Sequence, residues 1–156
     1  MPRGYAGKLL DVNLSEGRVR ELKIPWKTLE DFFGGRGLAA KILWDRLGDH
    51  WSRVDPLGPE NLLIALTGPL TAFYPGSRVC VSGKSPLSNG VVGSTASTEF
   101  AMELKAAGYD GVIVSGRAEK PVYLLITDEG CDIRDAGHLW GKTGEETIRL
   151  LNREVR

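Results

Sequence analysis

The chain has 156 residues, of which 42% are hydrophobic and 26% charged. That size and mix fit one globular domain or most of one, and exclude disorder, a collagen repeat and a coiled coil. Lys+Arg and Asp+Glu both count 20, so net charge is zero and the chain lacks the broad basic surface by which proteins neutralise nucleic-acid phosphates.

Leu10, Val12 and Leu14 alternate with Asp11 and Asn13, the pattern of a half-buried strand. Ser15-Glu16-Gly17 turns the chain, and residues 19–24 return as the second arm of a hairpin. Pro25 opens a short helix ending near Phe33. After Gly34-Gly35 a second helix covers 36–47, with Leu38, Ala39, Ile42, Leu43 and Leu47 on one face and Gly48 as its stop. Residues 49–61 carry Pro56, Gly58 and Pro59 and read as a surface loop. The unbroken apolar run 62–66 predicts a strand covered on both sides.

Short strands are expected at 78–82 and 90–93, then a helix over 99–107 with Thr98 placed to cap it, Glu99 complementing its dipole and Gly108 closing it. Buried strands follow at 112–114 and 122–126, and Asp128-Glu129-Gly130 turns into a partner strand at 132–134. Thr143 and Glu146 form a capping-box pair for a last helix through Glu154. Hairpins rather than β-α-β units make the expected class α+β, rich in strand.

The cysteines, Cys80 and Cys131, stand alone. Without a C-x-x-C, no zinc ribbon or iron–sulfur motif is encoded within the chain. Residues 1–5 lack an apolar signal region, and the runs 62–66 and 122–126 are too short to span a bilayer. A cytoplasmic protein without membrane or nucleic-acid partners is the expectation. His50 and His138 have no partners at ligand spacing, and no Ser/His/Asp or Cys/His arrangement emerges.

Two glycine-rich places invite an anion. Gly34-Gly35-Arg36-Gly37 opens a helix, where backbone N–H groups favour negative charge. No strand leads into it and no Lys-Ser/Thr pair follows, so it reads first as a tight helix-to-helix turn whose Arg36 faces a partner or a carboxylate. The stretch from Thr67 to Thr98 is richer. It holds Thr67-Gly68-Pro69-Leu70-Thr71, Pro75-Gly76-Ser77-Arg78, Lys84-Ser85-Pro86-Leu87 and Gly93-Ser94-Thr95-Ala96-Ser97-Thr98. Loops of this composition point N–H and hydroxyl groups outward, as a phosphate requires. Arg78 is the natural bidentate partner and Lys84 a point charge nearby; ordinary turns of a strand-rich domain are the competing explanation.

In order along the chain, residues 5–15, Gly34-Gly35-Arg36-Gly37-Leu38-Ala39, Asp55-Pro56-Leu57-Gly58-Pro59-Glu60-Asn61, Thr67-Gly68-Pro69-Leu70-Thr71, Lys84-Ser85-Pro86-Leu87, residues 103–111, residues 116–123 and His138-Leu139-Trp140-Gly141-Lys142 resemble the N-terminal domain of the aldehyde ferredoxin oxidoreductases. The resemblance implies two β-sheets related by an approximate two-fold, with a few short helices. It implies that residues 1–156 are a cofactor-base domain, cut short at its C-terminal end. On that base rests a tungsten (or molybdenum) bis-pyranopterin with a bridging magnesium. Aldehyde is oxidised to carboxylic acid, and electrons pass through a [4Fe–4S] cluster, ligated outside this chain, to ferredoxin.

Arg78 aligns with a pterin-contacting arginine of the family. Thr95, Ala96 and Ser97 fall where the family shows Asn-Ser-Gly, whose Asn and Gly contact cofactor and magnesium; Lys84 is the weaker cofactor contact. No catalytic residue is expected in this chain. The implied partners are the remaining domains of the enzyme, ferredoxin and further copies of the chain, and the isolated chain is expected to be inactive. Two other readings stay open: a stand-alone, non-catalytic assembly or ligand-binding module, and a superfamily reductase with another substrate, such as an aromatic thioester.

Overall fold

The computed structural model describes residues 4–73 and 77–155; the expected Pro75-Gly76 turn lies outside them. The first hairpin forms as expected, β1 (Lys8–Asn13) against β2 (Arg18–Lys23), with Val12 opposite Val19. The Asn13 side-chain oxygen accepts from the N–H groups of Ser15 and Glu16 at 3.0 and 3.2 Å, closing the turn. Next come α1 (Trp26–Phe32), α2 (Gly35–Leu47), a 3₁₀ turn (Gly48–Arg53) inside the expected loop, and β3 (Leu63–Leu66). Then follow β4 (Arg78–Lys84), β5 (Val91–Ser97), α3 (Glu99–Ala106), β6 (Gly111–Ser115), β7 (Val122–Thr127), β8 (Gly130–Asp135) and α4 (Gly144–Glu154).

The strands make two sheets, a six-stranded one in the order β2-β1-β6-β3-β4-β5 and the hairpin β7-β8. The class is α+β with two sheets, as expected. Burial departs from the local pattern in several strands: β3, expected to be covered on both sides, leaves Leu63 exposed, β7, expected to be buried, is half-buried, and β1 departs the other way. β1 pairs in parallel with β6, Leu10 beside Val112 and Val12 beside Val114. It is therefore central rather than half-buried, with Leu9, Leu10, Asp11 and Val12 all buried. No hairpin rule applies to strands a hundred residues apart; the pairing arises because each covers its neighbour's apolar side chains.

On one face of the large sheet, Leu29 of α1 and Leu38, Ala39 and Leu43 of α2 pack on Leu9, Ile64, Leu66 and Ile113. On the other, Leu104 of α3 and Leu124, Ile126 and Ile133 of the small sheet pack on Leu10, Val12 and Val112. Asp110, 3% exposed, ties the segment before β1 to this core. Its carboxylate accepts from the N–H groups of Ala6 and Gly7 (3.1 and 2.6 Å) and from the Lys105 ammonium (2.6 Å). Burying that charge is tolerable because each carboxylate oxygen finds a donor.

Two helix starts differ from one another. Thr143 and Glu146 form the expected reciprocal capping box. Thr98 precedes α3 in extended conformation, but its side chain makes no capping hydrogen bond, against expectation. Among the described residues no helix is long and apolar enough to cross a membrane.

Candidate cofactor site

A cleft of about 490 Å³ opens where the end of β3, the start of β4, β5 and the start of α2 meet. Glycine lets these pieces come together. A Cβ on Gly34 would stand 2.6 Å from the Thr67 carbonyl oxygen, so no other residue fits there without moving backbone. The next N–H, that of Gly35, donates to that carbonyl at 3.1 Å. The helix start is thereby stitched to the end of β3. Thr67 itself is held from behind, its hydroxyl donating to the Asp110 carbonyl at 2.8 Å.

Side chains alternate across a sheet, and the register of β4 with β5 sets Arg78 opposite Ser97 and Cys80 opposite Thr95. Arg78, Cys80, Gly93, Thr95 and Ser97 thus share the face that α2 covers in part. Arg78 is exposed and lines the cleft together with Thr95 and Arg36. Leu66, Leu70 and Phe33 supply apolar wall. Among the described residues no acidic side chain lines the cleft and no carboxylate pairs with Arg78 or Arg36. An open pocket with two cations, hydroxyls and an apolar flank can receive an anion at its cationic side and an apolar group along its flank.

The expected site residues divide. Arg78 and Thr95 come together in the cleft, and Ser97 lies beside Arg78 on the same face. Ala96 pairs with Val79 and is on the opposite face, so its side chain does not reach the cleft. Lys84 is a correction. It is 4% exposed, and its ammonium donates to the carbonyls of Trp51 (2.6 Å) and Val54 (2.7 Å) and lies 5.3 Å from the Trp51 ring centre. Six strand positions separate it from Arg78, roughly 20 Å at the usual rise. It is a structural lysine; the 3₁₀ turn and the residue that follows it hold its charge.

Thr95, Ala96 and Ser97, expected in a loop, are in β5. The hydroxyl-rich run looked like turn composition, but a residue run with small polar side chains suits an exposed edge strand equally well. Arg36 is the residue that local reading left out of the site. Its signal was the glycine-rich helix start; what it lacked was any hint that β5, 57 positions on, comes to lie against it. The described residues contain no group of three or more His, Cys, Asp or Glu able to hold a metal ion.

The family model for the aldehyde ferredoxin oxidoreductase N-terminal domain matches residues 9–156. A relative from Pyrococcus furiosus called the WOR-like subunit of an aliphatic sulfonate oxidoreductase is 54% identical over 97% of this chain, which spans 24% of that relative. A tungsten-containing aldehyde ferredoxin oxidoreductase from Pyrococcus horikoshii is 42% identical over 97% of this chain and 25% of its own length. Among solved structures, the active-site complex BamBC of benzoyl coenzyme A reductase matches with a TM-score of 0.90 and 37% identity, over 99% of this chain and 24% of that one. The chain thus spans about a quarter of the length of the relatives it matches. It belongs to the aldehyde ferredoxin oxidoreductase family, as that family's N-terminal domain.

Proposed function

We propose that this chain is the cofactor base of a tungsten (or molybdenum) oxidoreductase that turns an aldehyde into a carboxylic acid. The observation that carries the reading is the cleft itself, with an exposed Arg78, with which no carboxylate among the described residues pairs, on the same sheet face as Thr95. Its volume, about 490 Å³, falls within the range of small-molecule sites. A guanidinium fork matches phosphate bidentately, and the absence of lining carboxylates leaves the anion unopposed. The cleft would therefore hold the phosphates of a bis-pyranopterin cofactor beside Arg78, with an accompanying magnesium near Thr95 and Ser97.

The residues of this chain hold and orient. Arg78 neutralises phosphate. Thr95 and Ser97 depart from the Asn and Gly usual in the family, yet β5 pairs only with β4. Apart from the Gly93 carbonyl, which accepts from Arg36, its outward backbone groups have no strand partner among the described residues, as on any edge strand, so contacts made through backbone do not depend on those side chains. The Thr95 and Ser97 hydroxyls are neutral oxygen ligands of the sort magnesium accepts. When bound, the metal–dithiolene group supplies the two-electron chemistry, aldehyde plus water giving carboxylic acid, two protons and two electrons. In the full-length protein a [4Fe–4S] cluster would pass those electrons to ferredoxin. Cys80, buried in the large sheet, and Cys131, in the small one, are not placed together to ligate such a cluster, whose ligands would lie outside these residues. No residue of the cleft is suited to proton transfer, and the chain alone is inactive.

The test is the full-length protein expressed with tungstate and molybdate in a host that makes pterin cofactors. Stoichiometric metal and pterin in the wild type, with the loss of about tenfold or more in Arg78→Ala, supports the reading; a wild type free of both metals and pterin overturns it. A second substrate reading is favoured by the higher identity, 54% against 42%, to the sulfonate oxidoreductase subunit. Reduction of ferredoxin or a viologen dye by the full-length protein, with aldehydes and aliphatic sulfonates as rival donors, separates the two.

A further inference from the structure

We propose that Arg36 is a second anion-holding guanidinium of the cleft and at the same time the latch that sets the position of β5. The inference rests on the cofactor reading above and adds a residue to it. Arg36 lies in the first turn of α2 and reaches over β4 to the edge strand, where its Nη2 donates to the Gly93 carbonyl oxygen at 2.8 Å. The fit is close. A Cβ on Gly93 would stand 2.8 Å from Arg36 Nε and 3.1 Å from its Cγ, so glycine at 93 is what admits the arginine stem. Ser82, opposite Gly93 in the ladder, closes the other side, its hydroxyl 3.2 Å from that same Cβ position.

A guanidinium has five N–H donors, and the Gly93 contact uses one. Among the described residues no carboxylate takes the others, and the side chain is exposed and lines the cleft with Arg78 and Thr95. Two positive side chains in one pocket repel each other unless an anion lies between or beside them. An anchored arginine also loses less freedom on binding than one free in solvent, so it holds a phosphate more tightly. β5 is otherwise secured on one side only, by β4. The Arg36–Gly93 bond ties that strand to the helix two residues before Thr95, which orients the stretch that meets the cofactor.

Three variants of the full-length protein test this: Arg36→Gln, Arg36→Lys and Gly93→Ala. Gly93→Ala meets the flexible arginine rather than backbone, so it displaces the latch while keeping the charge. The readouts are tungsten or molybdenum and released pterin per chain before and after dialysis against high phosphate, with the thermal midpoint as a folding control. Arg36→Gln is expected to lose cofactor about tenfold faster than wild type, with Arg36→Lys and Gly93→Ala in between and all three midpoints close to wild type. Wild-type retention in Arg36→Gln overturns the proposal and leaves the cofactor reading intact. Retention in Arg36→Lys and Gly93→Ala, if Arg36→Gln does not fold, overturns it equally. A wild type with neither metal nor pterin removes the cofactor reading and this inference with it.

Discussion

Two basic residues of the same strand, Arg78 and Lys84, have opposite fates. Arg78 is at the open end of β4 and exposed; Lys84 is at the closed end and buried. A buried ammonium is costly unless its donors are met, and here two carbonyls and the Trp51 ring meet it. Removing it leaves both carbonyls without that partner. Lys84→Met is therefore expected to lower unfolding stability by about 2–3 kcal/mol, measured by urea denaturation, with cofactor content unchanged. Loss of cofactor at unchanged stability would return Lys84 to the site. Composition could say that both were cations near hydroxyls; only the tertiary structure decides that one is open to solvent and the other buried.

Among elements, Asp11 carries the clearest electrostatic link. It is 5% exposed, and its carboxylate joins β1 to β2 through Arg20 (3.0 Å) and to α2 through Arg46 (2.9 Å). Burial acts to raise its pKa, but the hydrogen bonds and charges of Arg46 and Arg20 outweigh burial and hold it below the ordinary 3.8. A depressed carboxylate pKa contributes stability that is fully present above the unfolded-state value and lost as pH falls through the folded one. Wild-type stability is thus expected to drop as pH is lowered below about 4. In Asp11→Asn that part of the slope should vanish, with a loss of about 1–3 kcal/mol at neutral pH. Denaturation curves at several pH values check it; parallel slopes in the two proteins would contradict the link. Alternation at 10–14 located the strand, but not that Asp11 would face a helix. That depended on α2 packing across this face of the sheet, which brings Arg46 to Asp11.

Over the molecule as a whole, the second face of the large sheet is only partly covered. The small sheet and α3 shield β1 and β6. Further across, Leu63, Val81 and Val92 of β3, β4 and β5 remain 57%, 37% and 45% exposed. Contiguous apolar surface of this kind drives association. The 156-residue chain is accordingly expected to elute as a dimer or larger species in size-exclusion chromatography, and Val92→Lys to shift it toward monomer. A clean wild-type monomer at high concentration would contradict this.

Local chemistry along the chain was enough for the helices, the first and last hairpins, the capping box before α4 and the family. Each depends on neighbours within a few positions, through turn residues, periodicity or a contiguous motif. The parallel β1–β6 pair, the strand state of Thr95, Ala96 and Ser97, the burial of Lys84 and the meeting of Arg36 with Gly93 were decided by tertiary structure. Each joins segments tens of residues apart, and the energy that selects them is the burial of apolar surface between whole elements, which no short window of sequence contains.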